Sequence, residues 1–341
     1  MVNDAICFSV IMPCYNSAAY VGQAVQSLIN QTYANWELIA INDGSCDNTL
    51  DILSGFSDKD KRIKVFSKKN GGYVSAVNLG LEKVSGDYFL MMGSDDMLAD
   101  TLFERIAMGI CSSGEALPDA VAFRSVKYEN GVFFERDPIS DFESAARMDG
   151  KSIAEFEKQY PKNARIFFIR DTSKCFKTSK IGKLRYFGKY GYDSDGVFSS
   201  LFVHGCSSFL SLPIDGYLWT IRRNSVSANV DLNKNTDRIK VWKKYLSRIL
   251  KDKEYTLAEQ EKKYVVMPFI LCADLINRSR RLFILKFALL NKTLRLSIKV
   301  AEKKNVDLSE YKRIKHKNPV KRTFDRMFPC VRLLRRGDIK S

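Results

Sequence analysis

The stretch Tyr88 to Asp96 reads YFLMMGSDD. A continuous apolar run of this kind suits a strand buried on both faces, and it stops abruptly at a glycine, a hydroxyl and two adjacent carboxylates. Adjacent carboxylates repel unless a cation lies beside them, and hard oxygen ligands on a loop suit Mg²⁺ or Mn²⁺ held jointly with phosphate. The plainer reading is that Ser94 or Asp95 caps a helix beginning near Ala99. The rest of the chain favours the cation.

The first 130 residues alternate short apolar runs with segments of helical period, which predicts a mainly parallel sheet with helical crossovers. Strands are expected at Phe8 to Met12, Glu37 to Ile41, Ile63 to Phe66 and Tyr88 to Met92. Val21, Val25 and Leu28 mark one helix, and Val74, Val77, Leu81 and Val84 another. The strands run into polar loops, among them Tyr15-Asn16-Ser17, Asn42-Asp43-Gly44-Ser45 and Asn70-Gly71-Gly72. In an open α/β sheet ligands bind outside the carboxyl ends of the strands, so Tyr15, Asp43, Asp95 and Asp96 are expected on one rim.

Further on, the pattern predicts a strand over Ala120 to Tyr128, helices over Asp149 to Lys158 and Asp193 to Val203, and a strand with a following loop over 215 to 227. Residues 160 to 192 are aromatic and basic with weak period. Their rings serve either as sugar platforms or as core.

Charge divides the 341-residue chain. Residues 1 to 230 hold 25 Lys and Arg against 27 Asp and Glu, whereas 231 to 341 hold 30 against 12. The basic last third is expected to be helical and to meet phosphate, on nucleic acid or on an anionic membrane surface. No basic stretch leading into an apolar core opens the chain, and no run approaches the ~20 apolar residues of a spanning helix. These features predict a cytoplasmic or peripheral protein. Eight cysteines without a CxxC pair read as reduced fillers. His204 and His316 lie in no ligand-like cluster.

Three blocks in order resemble family 2 glycosyltransferases of the GT-A fold. They are Ser9 to Thr49 (SVIMPCYNSAAYVGQAVQSLINQTYANWELIAINDGSCDNT), Asn70 to Met97 (NGGYVSAVNLGLEKVSGDYFLMMGSDDM), and Tyr190 to Phe198 (YGYDSDGVF) with Arg222 to Ser227 (RRNSVS). The resemblance implies a nucleotide-sugar-binding α/β fold with a mainly parallel central sheet flanked by helices, followed by a basic helical C-terminal extension. It implies a catalytic domain over 1–230, with about 1–130 binding the nucleotide sugar and about 131–230 facing the acceptor, and a separate basic region over 231–341.

The activity it implies is inverting, metal-dependent transfer of a sugar, of hexosyltransferase type. The donor is a UDP-sugar, the acceptor a hydroxyl of a glycan or lipid-linked glycan in surface polysaccharide synthesis, and the place the inner face of the cell membrane. By the same resemblance Asp43 reads the nucleobase edge, with Pro13 and Tyr15 lining the base and ribose pocket and Asn16, Asn70 and Ser94 beside the nucleotide sugar. Asp95 lies near ribose and sugar and shares the Mg²⁺ or Mn²⁺ with Asp96. Asp195 is the candidate base and Asp193 competes for that role. Both also suit helix capping. Arg222 and Arg223 either approach the diphosphate or are surface charges.

Four positions depart from the family pattern. Asn42 stands where an acid is common, Gly93 where the acid motif often begins with aspartate, Val77 where an arginine is common, and Ser194 where an acid precedes the base. Gly93 removes one possible ligand and makes Asp96 the residue on which metal binding most depends.

Two other readings fit less. Nucleotidyl transfer expects a Gly-rich loop with a basic residue after the first strand, and Pro13-Cys14-Tyr15-Asn16-Ser17 lacks both. Nucleic-acid binding through the basic tail is unaccompanied by a helix-turn-helix, zinc-finger or aromatic RNA-binding signature. Instead Met327, Phe328, Val331, Leu333 and Leu334 amid Arg326, Arg332, Arg335 and Arg336 read as a segment for a lipid interface.

Overall fold

The computed structural model describes residues 6–114, 116–129, 132–138, 141–168, 170–189, 191, 193–221, 232–252, 268, 292–301, 303–304 and 306. The chain forms two compact units, Met1–Val230 and Asp231–Ser341.

The first unit is built on a sheet whose central strand, β1 (Phe8–Cys14), pairs in parallel with β2 (Trp36–Asn42) on one side and β4 (Tyr88–Met91) on the other. β3 (Ile63–Ser67) extends the parallel set beyond β2. Val10 and Ile11 face opposite sides of β1 and both are wholly buried, as expected for a strand covered on both faces. The crossovers are α1 (Val21–Ile29), α2 (Thr49–Ser57) and α3 (Tyr73–Leu81), each turning apolar residues to the sheet. α3 approaches β1 so closely that a Cβ on Gly80 would lie 2.4 Å from Ile11 Cγ2. Val77 is wholly buried beside it, so the position where an arginine is common in the family is a core position here.

Beyond β4 the sheet is mixed. After β5 (Met97–Leu98) and α4 (Leu102–Ser113) come β6 (Ala120–Glu129), β7 (Val132–Arg136), β8 (Ala146–Asp149), α5 (Ile153–Gln159), α6 (Pro161–Ala164), β9 (Lys174–Lys177), α7 (Ser194–Val203) and β10 (Ser208–Thr220). The order across the sheet is β3-β2-β1-β4-β9-β6-β10-β5, with β7 beside β6 and β8 beside β10. β9 runs antiparallel to β4 and β6 and stitches the two halves together.

Two elements differ from their sequence patterns, and one open reading is decided. The last strand begins at Ser208, earlier than the expected 215, because Ser211 and Pro213 break the apolar run; the register shifts between Ser211 and Asp215, around the proline that has no amide to donate. The helix expected from Asp149 starts at Ile153 behind a Ser152 and Glu155 capping box, and Asp149 ends β8 instead. Phe176, Phe198 and Phe202 pack with Phe89 and Tyr186, so these rings fill the core.

In the second unit α8 (Leu232–Lys251) buries Ile239, Trp242, Tyr245, Leu246 and Ile249 and exposes Lys240, Lys244 and Arg248. The expected lipid-facing segment within 324–336 and His316 lie outside the described residues. Among the described residues no helix is long and apolar enough to cross a membrane, and six cysteines are free.

The contact at Gly80 is testable. Gly80→Val is expected to overpack the α3–β1 interface and lower the stability of the first unit by about 1–3 kcal/mol, read by chemical denaturation; an unchanged midpoint would show that the helix moves freely on the strand.

Candidate active site

Parallel pairing brings the carboxyl ends of β1, β2 and β4 to one edge, with Pro13 opposite Ile41 and Cys14 opposite Asn42. Each loop there is fastened to the next. The Asn16 amide donates to Ser45 Oγ (3.0 Å) and the Cys46 amide to Asn16 Oδ1 (2.9 Å), which holds Asn16 at a φ of 49°. Ser17 Oγ meets Ser94 Oγ at 2.7 Å, joining the loop after β1 to the acid motif. Pro13 is half-buried, while Tyr15 is 52% exposed and presents its ring at the rim.

Asp43, at the end of β2, is 3% exposed. Its Oδ1 accepts from Lys68 Nζ (2.5 Å) and from the Gly71 amide (2.9 Å), and its Oδ2 from the Gly72 amide (2.8 Å). This carboxylate therefore shapes the glycine loop as well as standing on the rim. Asn70 is exposed, and its backbone passes so near Gly44 that a Cβ there would lie 2.7 Å from the Asn70 nitrogen. Lys68 was not singled out by its sequence context, although it stands in the same polar segment as Asn70 and the two glycines.

The acid motif is a turn and not a cap. β5 intervenes, α4 begins at Leu102, and its N-cap is Thr101, so neither Ser94 nor Asp95 caps that helix. A Cβ at position 93 would lie 2.6 Å from Asp96 Oδ2 and 2.8 Å from Asp95 Oδ1. The two carboxylates thus fold over Gly93 and converge, which a side chain at 93 would obstruct in this arrangement. Tyr217 of β10 donates its hydroxyl to Asp96 Oδ2 (2.6 Å), and the Thr220 amide donates to Asp96 Oδ1 (2.9 Å). The Gly93 amide donates to the same Tyr217 hydroxyl (3.0 Å). Among the described residues no group of three or more His, Cys, Asp or Glu side chains has metal-site geometry. Two converging carboxylates nevertheless suit an ion such as Mg²⁺, which keeps its remaining positions for water and substrate phosphate.

The second pair of acids opens α7. Asp193 occupies the N-cap position at a φ of 57° with no side-chain capping bond, and Asp195 lies in the first turn. Withdrawal of water pushes the Asp195 carboxyl up to about 7, and the negative charge of Asp171 adds to the rise. Asp195 remains partly exposed, as a base reached by an acceptor must be. Ser194 accepts from the Phe187 amide (3.0 Å), so this position in place of an acid fastens the loop before α7.

Tyr73 ties these parts together. It follows Gly72 at the start of α3, and the charges of Asp171, Asp195 and Asp96 all act on its hydroxyl. Of these acids Asp171 accepts directly from the Tyr73 hydroxyl, at 3.3 Å. The aromatic in Asn70-Gly71-Gly72-Tyr73 carried a sequence signal, whereas Asp171 and Tyr217 had none. Arg222 and Arg223 lie outside the described residues, as do Tyr190 and Tyr192.

Residues 9–157 match the family model described as glycosyl transferase family 2. This part of the chain belongs to that family. A Haemophilus influenzae glycosyltransferase of uncharacterised specificity is 46% identical over 98 residues, 28% of this chain and 39% of that protein. The chain thus matches less than half the length of that relative. Glycosyltransferase GlyG of Streptococcus pneumoniae serotype 4 is 26% identical over 70% of this chain and 79% of its own length. Among solved structures, S. aureus TarS 1-349 in complex with UDP-GlcNAc superposes with a TM-score of 0.63 over 92% of this chain and 93% of that one. At 18% identity that likeness is one of fold, and it is the GT-A fold.

Removing the Tyr217 hydroxyl tests the anchoring of Asp96. Tyr217→Phe leaves a buried carboxylate oxygen short of a donor, which costs about 1–3 kcal/mol. A lower melting temperature is expected, and an unchanged one would mean that Asp96 is held elsewhere.

Proposed function

We propose that the chain is an inverting glycosyltransferase that moves a sugar from a UDP-sugar to a hydroxyl of a glycan or lipid-linked glycan. The observation that carries this reading is the pair Asp95 and Asp96 folded over Gly93, on the rim where Asp43 binds the glycine loop. The fold neighbour TarS was solved with UDP-GlcNAc, which supports a uridine nucleotide.

In this reading Tyr15 and Pro13 line the nucleobase and ribose pocket, and Asp43 sets the wall behind them while meeting the base edge in competition with Lys68. Asn16, Asn70 and Ser94 border the nucleotide sugar, and Arg222 and Arg223 approach its diphosphate. Asp95 and Asp96 hold Mg²⁺ or Mn²⁺, which when bound supplies Lewis-acid stabilisation to the departing diphosphate. Asp195, with Asp193 beside it, takes the proton of the acceptor hydroxyl. The acceptor oxygen then bonds to the anomeric carbon from the face opposite the diphosphate. The carbon–oxygen bond to the leaving phosphate breaks, and its electron pair departs with the nucleoside diphosphate. One displacement inverts the anomeric centre.

A panel of UDP- and GDP-sugars screened for metal-stimulated hydrolysis tests the reading. A UDP-sugar is expected to be turned over, with Asp96→Ala and Asp195→Ala each lowering the rate at least about 100-fold; full activity in both would overturn the assignment. Because the base must be ionised and its carboxyl is pushed up to about 7, the rate is expected to fall as pH drops from 8 to 6. A rate flat across that range would exclude Asp195 as the base.

The second unit supports a place at the membrane. Lys240, Lys244 and Arg248 recur every four residues on the exposed side of α8, and each basic residue near an anionic surface contributes about 1 kcal/mol. The protein is expected to sediment with anionic vesicles and not with neutral ones, and reversing these three charges is expected to release it. Equal sedimentation of wild type and variant would remove α8 from the argument. In this reading the enzyme works at the inner face of the cell membrane, in surface polysaccharide synthesis.

A further inference from the structure

Asp171 lies in the turn before β9, 3% exposed, and has no part in the chemistry described above. Its Oδ2 accepts from two tyrosines that come from different parts of the fold: Tyr186 Oη at 2.7 Å and Tyr73 Oη at 3.3 Å. Each tyrosine leads to a functional element. Tyr73 opens α3 directly after the Gly71 and Gly72 amides that bind Asp43. Its ring fills the space against Gly191, where a Cβ would lie 2.6 Å from Tyr73 Cδ1. Tyr186 stacks on Phe198 (4.2 Å between centroids, 16° between planes), and Phe198 stands one turn after Asp195 on α7.

The same seam is closed by backbone and amide bonds. Ser199 of α7 donates its hydroxyl to the carbonyl of Arg170 (2.9 Å), the residue before Asp171. Asn78 of α3 exchanges two hydrogen bonds with the backbone of Tyr186, at 2.9 and 3.2 Å. Asp171 therefore sits where α3, α7 and the loop before α7 meet.

We propose that Asp171 is a positioning residue for Asp195, joining the helix that carries the base to the loop that clamps Asp43. The inference rests on Asp195 being the base of the proposed transfer. One carboxyl oxygen accepts from both hydroxyls, and it holds them most tightly while the group is charged. Its charge is felt by Asp195. The ionisable groups that act on one another here are Tyr73 from α3, Asp171 and Lys174 from the turn and strand of β9, Tyr186 from the following loop, and Asp193 and Asp195 from α7, with Asp96 of the acid motif acting on Tyr73.

Asp171 and Lys174 are buried and Asp195 partly so. With two carboxylates against one ammonium, a single proton neutralises the trio, and Asp171 and Asp195 titrate as a coupled pair. The device has a consequence for catalysis. An Asp195 that takes up a proton near neutral pH is matched to accepting one from an acceptor hydroxyl and releasing it after the product leaves.

The test is a carboxyl ¹³C NMR pH titration of the full chain labelled at aspartate, which needs no donor or acceptor. The wild type is expected to show one aspartate titrating near neutral pH, and Asp195→Asn to abolish it. Asp171→Asn is expected to move that midpoint down by about one unit or more. Tyr186→Phe keeps the stacked ring but withdraws a donor from charged Asp171, and is expected to move the neutral midpoint of the pair up; it reads the coupling should Asp171→Asn fail to fold. A midpoint unmoved in the folded variants overturns the role of Asp171 while leaving the transferase reading intact. Persistence of the neutral titration in Asp195→Asn overturns it too. Transfer at full rate by Asp195→Asn instead removes the base itself, an outcome the titration cannot imitate.

Discussion

The parallel pairing of β1 with β2 and β4 is the constraint on which the site depends. β1 is buried on both faces, so its backbone groups must be satisfied by the neighbouring strands and its register cannot slip without exposing one set of side chains. That register sets Cys14 level with Asn42 and brings the loops after all three strands to one edge. Asp43, Ser94, Asp95 and Asp96 stand there because the sheet leaves them nowhere else to stand. The short bonds between loops, Ser17 to Ser94 and Asn16 to Ser45, then fix a rim that the strands have only brought together.

The second half of the domain supplies what the parallel half lacks. β10 reaches back to Asp96 through Tyr217 and Thr220, so the acid motif is oriented by a strand more than a hundred residues away in sequence. α7 carries Asp195 in its first turn, and the hydroxyl of Tyr73 bonds Asp171, whose charge acts on Asp195. The two carboxylate centres have different surroundings: Asp96 is oriented by direct donors, whereas Asp195 is pushed up to about 7 by loss of water and by Asp171. Such a contrast suits one centre fixed in direction and one that exchanges a proton.

Much of the first 130 residues was legible. The strands near Phe8, Glu37, Ile63 and Tyr88 and the apolar faces of α1 and α3 follow from local period, because a parallel strand covered on both sides has little choice but to be apolar throughout. The loops were legible for a similar reason, since glycine, asparagine and aspartate gather where the chain must turn. Legibility weakened after residue 130. β7, β8 and β9 are short, and β10 is interrupted by Ser211 and Pro213, so their pairing is decided by partners and not by pattern. The aromatic stretch over 160 to 192 was readable either as a sugar platform or as core, and burial made Phe167, Phe168, Phe176 and Tyr186 core.

What the sequence determined by itself was a chemistry: an apolar strand ending in Gly93-Ser94-Asp95-Asp96, a rim with Asp43, and a downstream carboxylate at Asp195, in an order that resembles one glycosyltransferase family. Those choices are local, made by residue type and spacing. Only the tertiary structure decided that Gly93 lets two carboxylates converge, that Asp43 is already clamped by Lys68 and two amides, and that Tyr217 and Asp171 are partners of the acids. The physical reason is distance along the chain. A hydrogen bond between residues 96 and 217, or a charge felt between 171 and 195, leaves no period in the sequence, because it exists only after the sheet has closed and excluded the water between them.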